Sequence, residues 1–354
     1  DATPDGGIAR GFSLSRHPEF GGPGWQPAYP ETTGYIVPTL YAAAELLESP
    51  SLAARATFAS RWEIEVQLTS GAVRGGTITA PPTPAIFNTG QVLLGWLATV
   101  EHNGDASCAD AAHRAASFLV AAQDRDGAWR RSQSRFADAT TTMYNTRTAW
   151  ALAEAGERLG HIEYSESASR ALRAMAYQQH RNGWLPSCCL NDADRPLLHT
   201  LGYAIEGLIE GGRVLNDAEL VWAGARAARA IAQLVSPEGW LPGRLTSDWA
   251  GAVNWSCLTG QAQMVNVWFR LHELTGDPEW LEPVPRVIAF LKSTQDRVTR
   301  NPGRRGGIKG ALPVTGDYGR LEVLSWATKF FADTLMRSMC FYGRRRAPSA
   351  LALA

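Results

Sequence analysis

The chain lacks an excess of either charge and contains few cysteines. Its 354 residues hold 34 Lys and Arg against 34 Asp and Glu, so neither a nucleic-acid partner nor attraction to a membrane surface is expected. No apolar run approaches the roughly 20 residues of a membrane-spanning helix. The five cysteines form no CxxC pair. Their odd number favours free thiols and a cytoplasmic protein, although a periplasmic location stays open.

Signatures of nucleotide and metal sites are missing as well. The Gly-rich stretches at 21–24 and 303–307 lack the Lys-Ser/Thr of a P-loop. Cys188, Cys189, His199 and Cys257 match no standard zinc spacing. We therefore expect neither a bound metal nor a cofactor.

What the chain does contain is a repeat. Six segments with a similar opening align on a Thr, at positions 33, 89, 146, 200, 259 and 328. The steps of 54 to 69 residues are typical of helical arrays and toroids. The runs that follow carry almost no charge, with none at 91–100 or 261–269, which predicts inner helices that are buried on nearly all sides. The Asn, Thr or Ser at each opening is predicted to cap the helix.

Five segments of a second kind alternate with these runs, at 51–67, 108–123, 164–179, 217–233 and 278–295. Their apolar residues recur at i, i+3 and i+4 opposite Arg and Glu, which predicts outer helices with one buried face. The end of 51–67 is expected to fray into a strand. The prediction is an all-α, (α/α)6-type toroid over 1–354, in one domain. Because the opening DGGIARGFSL resembles the end of a further unit, either one outer helix lies upstream of Asp1 or the ring closes with eleven helices, and the upstream helix is expected.

The connections between the helices are unequal in length. Links from inner to outer helices are short, whereas links from outer to inner helices are long and rich in Gly and aromatic residues. All the long loops enter the N-termini of inner helices, so they share one face. Long structured loops gathered at one end usually build a site, and we expect the functional site on this face.

The stretch RAASFLVAAQDRDGAW at 114–129 resembles the QW repeat of squalene cyclases and their prenyltransferase relatives. Weaker echoes occur at 178–184 and 233–240. In that motif a Gln caps a helix and a Trp packs over a Gly turn, which implies an α/α toroid. Cyclases of the squalene type also need an acidic DxDD motif, which is absent here; NDADRP at 191–196 is the nearest stretch. Isoprenoid chemistry is therefore not expected.

A second resemblance covers nearly the whole chain. The phrases PETTGY, FNTGQ, HTLGY, CLTGQAQ and GGIKGALP resemble a family of toroid proteins associated with bacterial exopolysaccharide production. That family is similar in layout to six-hairpin glycosidases, polysaccharide lyases and uronyl epimerases. The resemblance implies an enzyme that degrades or modifies an acidic polysaccharide. It supplies no catalytic motif that can be transferred residue by residue.

Aromatic residues on the long-loop side are candidates for stacking on sugar rings. Three of the tryptophans there, Trp129, Trp184 and Trp240, occupy the repeated Gly-Trp turn and are expected to pack. The candidates for sugar stacking lie outside that turn: Trp25, Trp249, Trp255 and Trp326.

Two kinds of chemistry fit the polar residues. Hydrolysis needs two carboxyl groups, and the loops offer Glu31, Asp317 and Glu322, of which the last two are the expected pair. Elimination from a uronate needs a base, an acid and a group that neutralises the carboxylate. The candidates for elimination are His199 or Tyr203 as base, Tyr35 as acid, and Arg147 with Asn88 or Asn145 as neutraliser.

Several of these residues have a second interpretation. His199 either titrates near physiological pH or is a neutral residue at a helix start. A buried Arg147 needs a partner, which is either an anionic substrate or Glu206. Lys309 and Lys329 are further cations that could bind an anionic chain. The alternatives to a lyase or hydrolase are a uronyl epimerase and a non-catalytic glycan-binding subunit.

Overall fold

A computed structural model describes residues 3–134, 137 and 141–346. This part of the chain contains eleven α-helices in two concentric layers. The inner helices are α1 Pro30–Leu46, α3 Ile86–Asn103, α5 Thr146–Leu159, α7 Leu198–Val214, α9 Leu258–Thr275 and α11 Ser325–Arg346. The outer helices are α2 Pro50–Val66, α4 Ala106–Ala122, α6 Ile162–Ala176, α8 Ala218–Ala232 and α10 Val284–Ser293.

Each inner helix packs against the next, and α11 packs against α1, so the inner ring is closed. The predicted all-α toroid is confirmed. The expected fraying of the second helix is wrong, because α2 stays helical to Val66. None of the helices in the described residues has the length and apolar content that crossing a bilayer requires.

The inner helices pack on all sides, as their low charge predicts. In α3 every residue from 86 to 97 is buried. Close crossings in the ring require small residues: a Cβ added at Gly34 of α1 would lie 2.5 Å from the Cα atom of Val92 in α3. The outer helix α4 instead buries one Ala-rich stripe and leaves its other face exposed, which gives the one-sided pattern seen in the sequence.

A repeated glutamine links neighbouring outer helices. Gln123 Nε2 donates to the carbonyls of Gly127, at 3.1 Å, and of Ser167 in α6, at 2.9 Å. The buried Trp129 donates from Nε1 to the Leu119 carbonyl at 2.9 Å. Equivalent double bonds are made by Gln67 and Gln179. Gln67, Gln123 and Gln179 therefore link α2 to α4, α4 to α6 and α6 to α8.

The repeated Thr does not cap the inner helices, so this expectation is wrong. Helices α1, α3 and α7 begin one or two residues earlier than predicted, and no N-cap side-chain bond is present in α1, α3, α5, α7 or α9. The Thr89 hydroxyl donates back to the Ala85 carbonyl at 2.7 Å and accepts from the Val73 amide at 2.9 Å. Thr33 and Thr328 make the same two bonds. The repeated Thr thus joins the long loop to the first turn of the helix.

Short strands fix the loops on the face where the inner helices begin. Strand β1, Gly11–Ser13, lies between β2, Gly24–Trp25, and β5, Glu322–Leu324, in antiparallel register. A second pair joins β3, Ser256–Cys257, to β4, Ala311–Leu312. Because β5 directly precedes α11, the β1–β5 pairing ties the N-terminal segment to the start of the last inner helix.

Candidate functional site

A cavity of about 560 Å³ opens at the N-terminal ends of the inner helices. This is the face on which the long loops converge. Its walls combine aromatic rings with a few charged groups, and the N-terminal segment contributes residues to its rim. The charged and polar groups around it include Arg10, His17, Glu19, Glu31, Asn88, Asn191, His199, Arg244 and Asp317.

The lining follows the sequence repeat. The two positions before the aligned Thr hold Glu31 in the first repeat, Phe87 and Asn88 in the second, and Tyr144 in the third. They hold His199 in the fourth repeat and Trp326 in the sixth. All six of these residues line the cavity, because the first turn of each inner helix points its side chains towards the ring axis.

Glu31 is the carboxyl group at the base of the site. It is partly exposed, lines the cavity, and accepts a 2.6 Å hydrogen bond from the Tyr29 hydroxyl. Poor solvation raises the pKa of Glu31 to about 7, although Tyr29, Arg10 and, from deeper in the ring, Arg147 oppose the shift. At neutral pH the carboxyl group can therefore give or take a proton.

His199 and Tyr203 form the adjoining wall, with ring centroids 4.3 Å apart. His199 Nδ1 lies 2.7 Å from Gln263 Oε1, an arrangement that places the ring proton on Nδ1 and leaves Nε2 as an acceptor. Burial lowers the pKa of His199 to about 3, so of the two interpretations of His199 the structure favours the neutral ring at physiological pH. Burial also raises the pKa of Tyr203, which keeps its phenol protonated.

Several polar atoms of the cavity wall have no hydrogen-bond partner in the protein. They include the hydroxyls of Tyr144 and Tyr203 and the amide nitrogen of Asn88. Buried polar groups are almost always paired, but these atoms are closed off from solvent, so a ligand could reach them only after a side-chain movement. The rings of Tyr144 and Tyr203 both pack against the Phe87 ring, with centroid separations of 5.1 Å and 4.8 Å. The wall therefore combines apolar faces with unpaired donors.

Asp317 and Glu322, the expected catalytic pair, lie in different surroundings, one exposed to solvent and the other buried. Glu322 is buried and accepts from Arg10 at 2.8 Å and from His17 at 2.7 Å. Asp317 lies at the cavity rim with a side chain that is 80% exposed, 3.7 Å from Arg244. Glu322 thus anchors the N-terminal segment, while Asp317 faces solvent beside a cation.

Three sequence candidates lie deeper in the ring. Arg147 pairs with Glu206, and its Nε donates to Gln91 Oε1 at 2.6 Å. Lys329 pairs with Asp333 at 2.7 Å. Together with Tyr35, both cations line a separate cavity at the opposite end of the toroid. The partner that Arg147 needs is therefore supplied by the protein.

The remaining candidates are placed around the loop face. Trp326 lines the cavity and donates from Nε1 to the Tyr318 hydroxyl at 2.8 Å. Trp25 is 46% exposed and packs edge-on against Phe12. The other candidates contact protein groups. Trp249 donates to the Asn182 carbonyl, and Trp255 is buried beside Gly243 and Gly316. Asn145 donates to Gln133, and Lys309 donates to the Thr294 carbonyl.

The cysteines of the loop face are buried thiols. Burial raises the pKa of Cys188 well above its usual value and that of Cys257 to about 12, so both stay protonated. Among the described residues, no group of three or more His, Cys, Asp or Glu is arranged to hold a metal ion.

Comparisons with known proteins show the fold. No protein-family model matches the chain, and no curated protein matches it. Solved structures do. An unsaturated glucuronyl hydrolase from Bacillus sp. GL1 is 14% identical with a TM-score of 0.69, covering 95% of this chain and 91% of its own. A cellobiose 2-epimerase from Bacillus thermoamylovorans is 12% identical with a TM-score of 0.71, covering 95% and 93%. At this identity the likeness establishes an α/α toroid.

Proposed function

We propose that the protein is a carbohydrate-processing enzyme of the glycoside hydrolase type, acting on an acidic oligosaccharide in the loop-face cavity. The observation that carries this proposal is Glu31, a carboxyl group with a pKa of about 7 at the base of a sugar-sized cavity. A catalytic acid works best when its pKa lies near the working pH. Trp326, which lines the same cavity, is the candidate for stacking on a sugar ring.

In this proposal Glu31 gives its proton to the glycosidic oxygen, and water completes the cleavage. Asp317, at the rim of the same cavity, is the candidate for the second carboxyl group that hydrolysis requires. Elimination is supported less well, because its proposed bases are poor ones. His199 is weakly basic, and the Tyr203 phenol is held in its protonated form.

Arg244 supports an acidic substrate. The residue is 5% exposed, and its guanidinium donates to the Arg195 carbonyl at 2.8 Å and to Asn191 Oδ1 at 2.9 Å. The exposed Asp317 carboxylate approaches it only to 3.7 Å. A uronate carboxylate could take that position with a closer, bidentate bond. The carbohydrate likenesses point the same way, since the Bacillus glucuronyl hydrolase is described as degrading glycosaminoglycan.

An epimerase is the second candidate. The cellobiose 2-epimerase matches as closely as the hydrolase in TM-score and coverage. A proton-transfer group with a pKa near 7 in a closed cavity also suits the removal and return of a C–H proton. An epimerase leaves the chain length unchanged, so the products separate the two reactions.

The test is a panel of acidic and neutral oligosaccharides, followed for new reducing ends, for unsaturated uronate absorbance and for epimeric products. Glu31→Gln should lower kcat by about 10²–10⁴-fold while retaining binding. Glu166→Gln, on the exposed face of α6, is the matched control. Reducing ends without new absorbance support a hydrolase. Full activity in Glu31→Gln would refute the assigned role, and sugar binding without turnover would favour a glycan-binding protein.

A further inference from the structure

The N-terminal segment carries a hairpin whose tip, residues 17–21, stands at the rim of the cavity. The His17 amide donates to the Gly21 carbonyl at 2.6 Å, and the Gly21 amide donates back at 3.0 Å. His17, Glu19 and Phe20 all line the cavity. This wall lies outside the repeated hairpins, because it precedes the first inner helix.

The tip is held by bonds on both sides of one imidazole. His17 Nδ1 accepts from the backbone amides of Glu19 at 3.0 Å and Phe20 at 3.2 Å. The proton of the neutral ring therefore lies on Nε2, which contacts Glu322 Oε1 at 2.7 Å. Since Glu322 is 3% exposed and also binds Arg10, the tip is anchored to the start of the last inner helix through a buried carboxylate.

The anchoring fixes an aromatic ring at the cavity mouth. Phe20 stacks on His17 with centroids 4.5 Å apart and planes at 18°. The Arg10 guanidinium lies 5.6 Å from the Phe20 ring and 5.1 Å from Trp326 on the cavity wall. Phe20 and Trp326 therefore flank the same cation, which gives the mouth two aromatic rings held at a fixed separation.

We propose that this hairpin tip is the chain-length determinant of the site. It closes one side of the cavity, so that only the end of a sugar chain enters. Phe20 then contacts the sugar next to the one that reacts. A cavity of about 560 Å³ falls in the range of about 300–1,000 Å³ that encloses one small ligand. This inference rests on the proposed carbohydrate-processing function and specifies which form of substrate the site takes.

The experiment compares a shortened tip, with residues 18–20 replaced by two glycines, and Phe20→Ala with the wild type. Phe58→Ala, a half-exposed ring on α2, is the matched control. Binding and kcat/KM are measured for a di-, tetra- and octasaccharide series and the parent polymer of an acidic polysaccharide. The wild type should favour the short chains. The shortened tip should raise the polymer-to-disaccharide ratio of kcat/KM by about tenfold, because the closed side becomes a groove.

Phe20→Ala tests the ring separately and keeps the backbone. It should weaken tetrasaccharide binding by about tenfold, whereas the control Phe58→Ala should leave both binding and kcat at the wild-type values. His17→Ala should raise KM in the same way if it acts as a positioning residue. An unchanged chain-length profile in folded variants would overturn this inference alone. A wild-type protein that binds no sugar of any length would overturn both this inference and the proposed function.

Discussion

The Tyr29 hydroxyl donates a 2.6 Å hydrogen bond to Oε2 of Glu31, which lies two residues further along the chain. This bond stabilises the charged carboxylate, whereas the poor solvation of the cavity favours its protonated form. The two effects oppose each other and bring the pKa of Glu31 to about 7. The reactivity of the site is therefore set by a balance between burial and one phenol.

Removing that phenol should shift the balance. In Tyr29→Phe the pKa of Glu31 should rise above 7, because the opposing hydrogen bond is lost. The limb of the kcat/KM profile that reports Glu31 should then move to higher pH. Tyr177→Phe, at a side chain that is 92% exposed, should leave the profile unchanged. A shift to lower pH would mean that the hydrogen bond does not control this carboxyl group.

His199 should make stability depend on pH. Its pKa is about 3 in the folded protein against about 6.5 in an unfolded chain. The unfolded state therefore binds a proton first, and stability falls as the pH drops below about 6.5. Between pH 7 and pH 5 this loss should be on the order of 2 kcal/mol. Because Glu63 and other groups titrate as well, denaturant unfolding should show it as a change of that size in the difference between the wild type and His199→Asn. The exposed His180→Asn should behave like the wild type.

Glu63 should have the opposite effect. It is buried in α2, neither carboxyl oxygen has a hydrogen-bond partner, and burial raises its pKa well above the usual value. An unfolded chain releases this proton first, so stability falls as the pH rises above about 4.5. Glu63→Gln should therefore raise the melting temperature at pH 7, with the gain fading towards pH 4. Glu65→Gln, exposed on the same helix, should give no such gain.

Removing one member of the buried ion pair of Arg147 and Glu206 should lower the free energy of unfolding more than removing both members. Arg147 is 2% exposed, whereas the Glu206 side chain keeps 20% exposure. Arg147→Met should cost about 3 kcal/mol of unfolding free energy, and adding Glu206→Leu should recover part of it. Denaturant titration of the single and double variants measures this. A raised KM in folded Arg147→Met would support the sequence-based proposal that Arg147 also binds substrate.

The toroid could be predicted because short-range sequence patterns reflect it. The spacing of the repeated Thr and the uncharged inner segments both reflect burial, which acts on every repeat alike. That Arg147 needs a partner could be predicted for the same reason, and the structure selects Glu206 from the two alternatives, Glu206 and an anionic substrate. The role of Thr89 could not be predicted. Whether a hydroxyl caps a helix or accepts from a neighbouring loop depends on where that loop runs.

The cavity was predicted only in part. The two positions before each Thr identify Glu31, Asn88 and His199, and the same rule also indicates Phe87 and Tyr144, which were missed. Arg10 and His17 carried no usable signal. They reach the site through Glu322, and Arg10 and Glu322 lie 312 positions apart in the chain. The raised pKa of Glu31 likewise results from its burial by several chain segments. The spacing of residues in the sequence does not reveal that burial.

The pairing of β1 with β5 has a consequence for biosynthesis. Residues 11–13 leave the ribosome early but find their partners only when residues 322–324 follow. Until then Glu322 cannot hold Arg10 and His17, and the rim of the cavity has no fixed form. A nascent chain can assemble most of its hairpins in order, yet the rim of the cavity takes its form only after residues 322–324 have been made.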